Sequence, residues 1–254
     1  MNYKNIRLDF KEKHAVLTID RPPENLLGLE AIEEVNDALA AVRERRDIEV
    51  LVLRGAGGIL GDLDLEQVTK SRVRRLIQVY HRIFETMRMM DAVSIAAVEK
   101  RAVGAGFELS LVCNLIVAGE GSTFQLPALS YGLIPTIASA MLPRLAPRRR
   151  AMEWILTGCE IPVSQLDHDG IVNRIFPLRS FDKKLDGFVR EITGKSGAVL
   201  RLAKKAQFAA YGASYEDALA RAHAIFLGDL MDLQDSEEGL RAHREGREPQ
   251  WKNK

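Results

Sequence analysis

The sequence predicts an α/β fold in which strands and helices alternate, followed by a region made only of helices. Short apolar runs typical of buried strands, such as Val50–Leu53 and Val93–Val98, are separated by segments whose apolar residues recur at helical spacing. After about residue 178 the strand pattern ends. Three helical patterns remain beyond that point, at 181–193, 197–211 and 214–233. We therefore expect a core over residues 1–178 and a C-terminal helical region over residues 179–254.

The composition describes a chain of 254 residues with almost balanced charge. The 36 Lys and Arg residues against 35 Asp and Glu residues leave a net charge of +1, so no overall field attracts nucleic acid or a membrane. The first 20 residues hold no apolar run of signal-peptide or membrane-spanning length. We expect a cytoplasmic protein without nucleic-acid or membrane partners. Cys113 and Cys159 lie in apolar stretches, and we expect both thiols to be buried and inert.

The first predicted elements are a strand, a helix and a second strand. His14–Asp20 alternates apolar and polar residues and stops at Pro22 and Pro23, because proline donates no ladder hydrogen bond. A helical pattern follows, with apolar residues at Leu29, Ile32, Val35, Leu39 and Val42. Val50–Leu53 then reads as a buried strand that ends at Gly55. This order is the beginning of a βαβ arrangement.

The middle of the chain continues the alternation. A glycine-rich loop, Gly55–Gly61, lacks the Lys-Ser/Thr of a phosphate loop and the spacing of a dinucleotide fingerprint, so it predicts no nucleotide site. The next helix has an apolar face made of Val73, Leu76, Tyr80, Ile83, Phe84 and Met87. Strand Val93–Val98, a helix from Gly104 to Leu111 and strand Cys113–Ala118 follow.

The segment that joins the strand ending at Val98 to the next helix is the most informative part of the sequence. Small residues at 104–106 allow a ligand to approach the backbone, and the first amides of a helix have no internal acceptor, so they can bind an oxyanion. Glu108 follows one turn later. The same spacing also fits tight strand-to-helix packing with Glu108 as a solvated or capping carboxylate. Spacing alone leaves both interpretations open.

This segment resembles the signature of the crotonase (enoyl-CoA hydratase/isomerase) superfamily, in which a Gly-rich triplet opens a helix and a glutamate follows. Other segments similar to family motifs are Arg21–Leu27, Val50–Gly57, Ser122–Pro127, Gly132–Pro135, Ala151–Gly158, Val163–Val172 and Arg247–Trp251. The resemblance implies a core of repeated ββα turns wound as a spiral, with C-terminal helices that pack across subunits in a homotrimer or homohexamer. It also implies an acyl-CoA substrate and no cofactor beyond the CoA moiety of that substrate.

The resemblance assigns roles to residues of the helix start and of the loop after Gly57. Glu108 becomes the acid/base, and the Ala105 amide, beside Gly104, becomes one donor to the enolate oxyanion. The loop Ile59–Asp64 is one or two residues shorter than the family's Phe-x-Ala-Gly-Ala-Asp segment. The second donor is Gly61 if Asp64 takes the place of the family aspartate, or Leu60 if Gly61 takes the place of the family glycine. We favour Gly61. Because a backbone amide donates whatever its side chain, the altered residues alone do not remove the oxyanion hole.

The acyl pocket implied by the resemblance differs from the family pattern at one important position. Hydratases of the family carry a second glutamate after a Gln-Pro pair, whereas this chain has Leu126-Pro127-Ala128. Glu108 alone still suffices to move a proton between carbons of an enolate, or to hydrate with water or substrate completing the transfer. Thr136 and Tyr131 are candidates to orient water. The other residues placed at the substrate are Asn25, Leu26, Leu60, Asp64, Gly104 and Ala128.

Three further segments resemble cyclohexa-1,5-diene-1-carbonyl-CoA hydratases: Pro135–Ser139, Ser196–Ala206 and Glu237–Leu240. Those enzymes retain the glutamate that Ala128 replaces. We expect hydratase or isomerase chemistry on an enoyl or cyclic dienoyl thioester; the alternative is an acyl-CoA-binding protein with little or no catalysis. No metal site is expected, since the histidines lack the pairing that metal sites use.

Overall fold

The computed structural model describes residues 3–254, which form ten strands and ten α-helices. The strands are β1 (Ile6–Phe10), β2 (His14–Ile19), β3 (Val50–Gly55), β4 (Ile59–Leu60), β5 (Val93–Val98), β6 (Arg101–Val103), β7 (Leu115–Gly119), β8 (Thr123–Gln125), β9 (Ile161–Pro162) and β10 (Arg174–Phe176). The helices are α1 (Leu29–Glu44), α2 (Val73–Met89), α3 (Ala105–Val112), α4 (Thr136–Leu145), α5 (Arg148–Thr157), α6 (Val163–His168), α7 (Phe181–Thr193), α8 (Gly197–Ala210), α9 (Tyr215–Ala224) and α10 (Gln234–Glu245).

From β3 to β8, consecutive strands alternate between two sheets. One sheet has the order β1-β2-β3-β5-β7-β10, in which only β1 and β2 pair antiparallel. The other has the order β4-β6-β8-β9, in which only β8 and β9 pair antiparallel. The strand pairs β3/β4, β5/β6 and β7/β8 therefore each contribute one strand to each sheet. This arrangement confirms the repeated ββα spiral.

Strand β3 is buried on both faces of the six-stranded sheet, which explains its continuous apolar run. Leu51 and Leu53 belong to the main core with α1, α2 and α3, whereas Val50 and Val52 face the opposite side. On that side the buried face of α7 covers the sheet through Phe181, Leu185 and Val189. The first predicted C-terminal helix therefore packs directly on the core sheet.

The predicted secondary structure agrees with the observed elements in most places. The helical patterns at 181–193 and 197–211 correspond to α7 and α8 within one residue. The pattern at 214–233 is divided into α9 and a π-helical turn, Ile225–Leu230. No strand follows Phe176 within residues 3–254. The division of the chain into two domains stays a prediction.

Two further findings concern the cysteines and the length of the helices. Cys113 is buried, as predicted, but the expectation for Cys159 was wrong because it is exposed. Cys159 follows the left-handed Gly158 that ends α5, and this turn places it at the surface. Across the part of the chain that the structure describes, no helix is both long and apolar enough to cross a membrane.

Candidate active site

The N-terminus of α3 lies against the loop that follows β4, and two glycines make this approach possible. Gly104 has φ 51° and ψ −114°, a conformation that side chains of L-residues rarely adopt. A Cβ atom on Gly106 would lie 2.3 Å from the carbonyl oxygen of Leu60. Only a residue without a side chain allows this contact, so the glycine-rich triplet brings the first amide of α3 to residues 60–63.

Glu108 is buried, with 5% of its surface exposed, and both carboxyl oxygens accept hydrogen bonds. Oε1 accepts from the backbone amides of Ile137 and Ala138 at 2.8 and 2.9 Å, and Oε2 accepts from the Tyr80 hydroxyl at 2.9 Å. The two amides belong to the first turn of α4, where the helix dipole favours a negative charge. The capping role considered from the sequence therefore exists, but Glu108 caps α4 rather than its own helix.

The protonation of Glu108 is set by competing effects. Burial is the largest and raises the pKa of the carboxyl, as does the charge of Asp62, while the bonds from the Ala138 amide, the Tyr80 hydroxyl and the Ile137 amide lower it. Burial, followed by the Glu108 charge, raises the pKa of Tyr80 well above its usual range. Tyr80 therefore remains a donor. A carboxyl whose pKa is raised toward neutrality is suited to accept and return a proton.

The Ala105 amide, the predicted oxyanion donor, already has an anionic partner. Asp62 Oδ1 accepts hydrogen bonds from the Ala105 amide at 2.9 Å and from the Leu63 amide at 2.7 Å. These are the donor distances of an oxyanion hole. Burial raises the pKa of Asp62, and the bonds from Ala105 and Leu63 partly oppose that effect. One carboxylate oxygen therefore lies where two backbone amides converge.

Asn25 and Asp64, both predicted to contact substrate, make hydrogen bonds inside the protein. Asn25 Oδ1 accepts from the Arg21 amide, and Nδ2 donates to the carbonyls of Ala56 and Ile59 at 2.9 and 2.8 Å. Asp64 Oδ2 accepts from Arg21 Nη2 at 2.9 Å. These bonds connect the turn after β2 to the loop on either side of β4.

Three backbone positions close to these bonds were also predicted to line the site. Leu26 accepts from Arg21 Nη1 through its carbonyl oxygen. Leu60 is the last residue of β4, and Gly61 packs so closely on the backbone of Glu24 that a Cβ would lie 2.1 Å from its carbonyl oxygen. The fold thus gathers Leu26, Leu60 and Gly61 around the same turn, and the assignment of the second donor stays a prediction.

The remaining predicted residues lie in the turn before α4 or at the start of α4, the helix whose first turn binds Glu108. Ala128 is half-buried in the turn before α4, and Tyr131 is about half exposed. Thr136 begins α4, and its Oγ1 lies 3.2 Å from His81 Nε2. Because Ile137 and Ala138 follow directly, Thr136 sits at the same helix end that binds Glu108.

Sequence reasoning missed Asp62 and Tyr80 as site residues. Tyr80 carried a signal, since it lies on the apolar face of α2 and a buried tyrosine hydroxyl needs a hydrogen-bond partner. Asp62 also carried a signal, because it is a charged residue beside the predicted donor Gly61. The partner of each side chain, however, is decided only by the packing of separate elements.

Known proteins that resemble this chain belong to one family. The family model described as Enoyl-CoA hydratase/isomerase matches residues 9–254. The crotonyl-CoA hydratase of Syntrophomonas wolfei is 27% identical and covers all of both chains. The enoyl-CoA hydratase domain-containing protein 3, mitochondrial, of Danio rerio is 27% identical over 90% of this chain and 81% of its own length. The crystal structure of the Bacillus anthracis enoyl-CoA hydratase superposes with a TM-score of 0.93 at 27% identity, over 99% of this chain and 100% of that chain. This chain therefore belongs to the enoyl-CoA hydratase/isomerase family.

Proposed function

We propose that this protein moves protons on an acyl-CoA thioester, as a hydratase or an isomerase, with Glu108 as its acid/base. The observation that carries the proposal is the position of the Glu108 carboxyl. The Tyr80 hydroxyl bonds to Glu108 Oε2 and lies 3.2 Å from the Ala105 carbonyl oxygen, so the carboxyl is tied to the first residue of α3. An acid/base and a donor for an oxyanion therefore belong to one rigid unit.

The chemistry follows from these two groups. The Glu108 carboxylate removes a proton from the carbon next to the thioester carbonyl, and the electron pair of the broken C–H bond moves toward the carbonyl oxygen, so that an enolate forms. The Ala105 amide and a second backbone donor, Gly61 or alternatively Leu60, stabilise that oxygen; loss of one such donor typically costs about a hundred- to thousand-fold in rate. Glu108 then returns the proton to another carbon, which completes an isomerisation. In hydration, Glu108 transfers the proton of the attacking water.

The second candidate function is acyl-CoA binding with little or no turnover. The Asp62 carboxylate on the Ala105 amide favours it, because an enolate of the same charge requires the same donor. Glu108 favours it as well, since two amides and a hydroxyl occupy its oxygens. The two candidates share the ligand and differ only in whether the acyl group reacts.

Labelled water distinguishes the two candidates. Enoyl-, cyclohexenoyl- and cyclohexadienoyl-CoA thioesters are incubated with the protein in D₂O, and products and exchange are followed by mass spectrometry. Hydrated, isomerised or deuterated thioester with the wild type and with Glu66→Gln, an exposed control, but not with Glu108→Gln, supports the enzyme. Binding across the panel without exchange supports the binding protein, and Ala128→Glu then tests whether restoring a carboxyl yields hydration.

We also propose a homotrimer or homohexamer built through the C-terminal helices. Large apolar side chains remain exposed along α9 and the adjoining segments, namely Tyr211, Tyr215, Leu219, Phe226, Leu227 and Met231. Burying exposed apolar side chains of this kind on another subunit is favourable. Light scattering coupled to size-exclusion chromatography tests the proposal, and a monomer at micromolar concentration would contradict it.

A further inference from the structure

We infer that Asp62 competes with the thioester carbonyl of the substrate for the Ala105 amide, and so controls how readily the site accepts a thioester. The inference rests on the proposed function, because it takes acyl-CoA as the ligand. It goes further because the family resemblance gives Asp62 no role, whereas here the Asp62 side chain must move away before the carbonyl can bind. Asp62 therefore lowers the affinity of the site for a ligand that carries a carbonyl.

The position of the Asp62 side chain is the first argument. Oδ1 occupies the point where the Ala105 and Leu63 amides converge, at 2.9 and 2.7 Å. The carboxyl also occupies the space that glycine leaves open at position 104, since a Cβ there would lie 1.9 Å from Oδ1. The space in front of the first α3 amide is thus filled by a side chain of the protein itself.

The backbone around Asp62 shows which part can move. The Asp62 carbonyl accepts from the Leu27 amide at 2.8 Å, and the Asp64 amide donates to the Leu27 carbonyl at 3.0 Å. These bonds anchor the chain on both sides of Leu63. The side chain is held only by the two amides at Oδ1, and Oδ2 has no hydrogen-bond partner among residues 3–254. Rotation of the side chain therefore clears the amide without moving the loop.

Electrostatics supply the second argument. The groups that interact with the Asp62 charge are Glu108 and Tyr80, and no cation pairs with Asp62 among residues 3–254. An enolate next to Asp62 would add a negative charge to a site that already holds two carboxyls. If Asp62 leaves as the enolate arrives, one anion replaces another at the same amide, which the helix N-terminus stabilises equally well.

A purely structural role makes a different prediction. A carboxylate at the N-terminus of a helix stabilises that helix. If Asp62 only capped α3, its removal would lower stability and would change the affinity for all CoA derivatives alike. Competition for the amide instead affects only ligands that carry a carbonyl. The discriminating quantity is therefore a ratio of affinities, which a general loss of stability does not alter.

Calorimetry with a matched pair of ligands measures this ratio. Butyryl-CoA is a thioester, whereas S-butyl-CoA is a thioether of the same length without the carbonyl. Hydrogen bonds to a charged group are worth about 1.5–3 kcal/mol, so Asp62→Ala is expected to raise the preference for the thioester about ten- to hundred-fold. Asp62→Asn should fall between the wild type and Asp62→Ala, because its neutral oxygen still accepts from Ala105. Glu66→Gln, an exposed carboxyl in the next turn, should leave the preference unchanged.

Each result has one meaning. A thioester preference that rises in the order wild type, Asp62→Asn, Asp62→Ala supports the inference. An unchanged preference, or an equal gain for both ligands, overturns it and leaves the proposed function intact. Failure of the wild type and all variants to bind either ligand refutes the proposed function, and the inference falls with it. Circular dichroism of each variant establishes that the protein is folded.

Discussion

The hydrogen bond between Tyr80 and Glu108 permits a quantitative test of the site. Tyr80→Phe removes the hydroxyl that donates to Glu108 Oε2 at 2.9 Å. The ring itself is retained, and its edge-to-face contact with Phe84, with centroids 4.8 Å apart, is preserved. Glu108 keeps its bonds from the first turn of α4. The same hydroxyl also lies 3.2 Å from the Ala105 carbonyl oxygen, so the substitution removes both contacts of the hydroxyl without creating a cavity.

The magnitude follows from the burial of the pair. Tyr80 is 1% exposed and Glu108 is 5% exposed, so water does not replace the lost donor. A hydrogen bond to a charged group contributes about 1.5–3 kcal/mol to the free energy of unfolding. For a chain of this size 1 kcal/mol corresponds to about 2–4 °C, so Tyr80→Phe should lower Tm by roughly 3–12 °C.

The loss of stability should depend on pH with a defined sign. The hydroxyl favours the ionised form of Glu108 and lowers its pKa, against the larger effect of burial that raises the pKa. The contribution of the hydroxyl is therefore complete above the folded-state pKa of Glu108 and decreases as the pH falls through it. Tyr80→Phe should cost more at about pH 9 than at about pH 5.

Urea unfolding of Tyr80→Phe, Glu108→Gln and the double variant at both pH values checks this reasoning. In the Glu108→Gln background the cost of losing the hydroxyl should be smaller, because the remaining bond is between neutral groups. Glu66→Gln, at an exposed carboxyl, is the control and should change stability by less than about 0.5 kcal/mol. An equal cost at both pH values, together with no coupling to Glu108, would refute the assignment.

Three further predictions concern the buried Asn25 side chain, the glycines and the cysteines. Asn25→Ala should lower the free energy of unfolding by about 2–4 kcal/mol. The substitution removes three buried hydrogen bonds and puts alanine at a position with φ 55°. Urea unfolding measures the change, and a loss below about 1 kcal/mol would contradict the prediction. Gly106→Ala should lower the free energy of unfolding by about 1–3 kcal/mol, because its side chain would meet the β4 backbone. Gly187→Ala, in open space within α7, is the control and should be neutral or stabilising. Equal shifts in Tm for the two variants would argue against the close contact. A thiol reagent at about pH 8 should label Cys159 and not Cys113, because burial raises the pKa of the Cys113 thiol to about 12. Two equivalents of label on the folded protein would disprove this prediction.

Most of the spiral could be predicted from the sequence because its long elements have strong periodicity. α2 buries the apolar face that its spacing indicated, and β3 begins with four apolar residues because helices cover both of its faces. The second sheet was not predicted. Its strands β4, β6, β8 and β9 are two or three residues long, which is too short to show alternation. Pairing with neighbouring turns of the spiral makes them strands.

The candidate site was predictable where it depends on one continuous segment. The glycines before Glu108 show in the sequence that a helix start must approach another backbone, and the structure places Leu60 at that contact. The roles of Asn25 and Asp64 were harder to predict from the sequence. A polar residue in a turn looks the same in the sequence whether its side chain bonds to a ligand or to the protein. Their hydrogen bonds extend to the β4 loop, and that contact exists only in the folded chain.

The sequence by itself determined the family, the alternation of elements and the acid/base candidate, because local spacing and composition encode which residues are buried and which backbone must be free of side chains. Only the tertiary structure decided that Asp62 accepts a hydrogen bond from the Ala105 amide, 43 residues away. It also decided that Glu108 caps α4 and accepts a hydrogen bond from Tyr80 on its second oxygen. Periodicity shows that a face is buried but not against which element. Hydrogen bonds, which act over about 3 Å, are formed only once packing has brought those elements together.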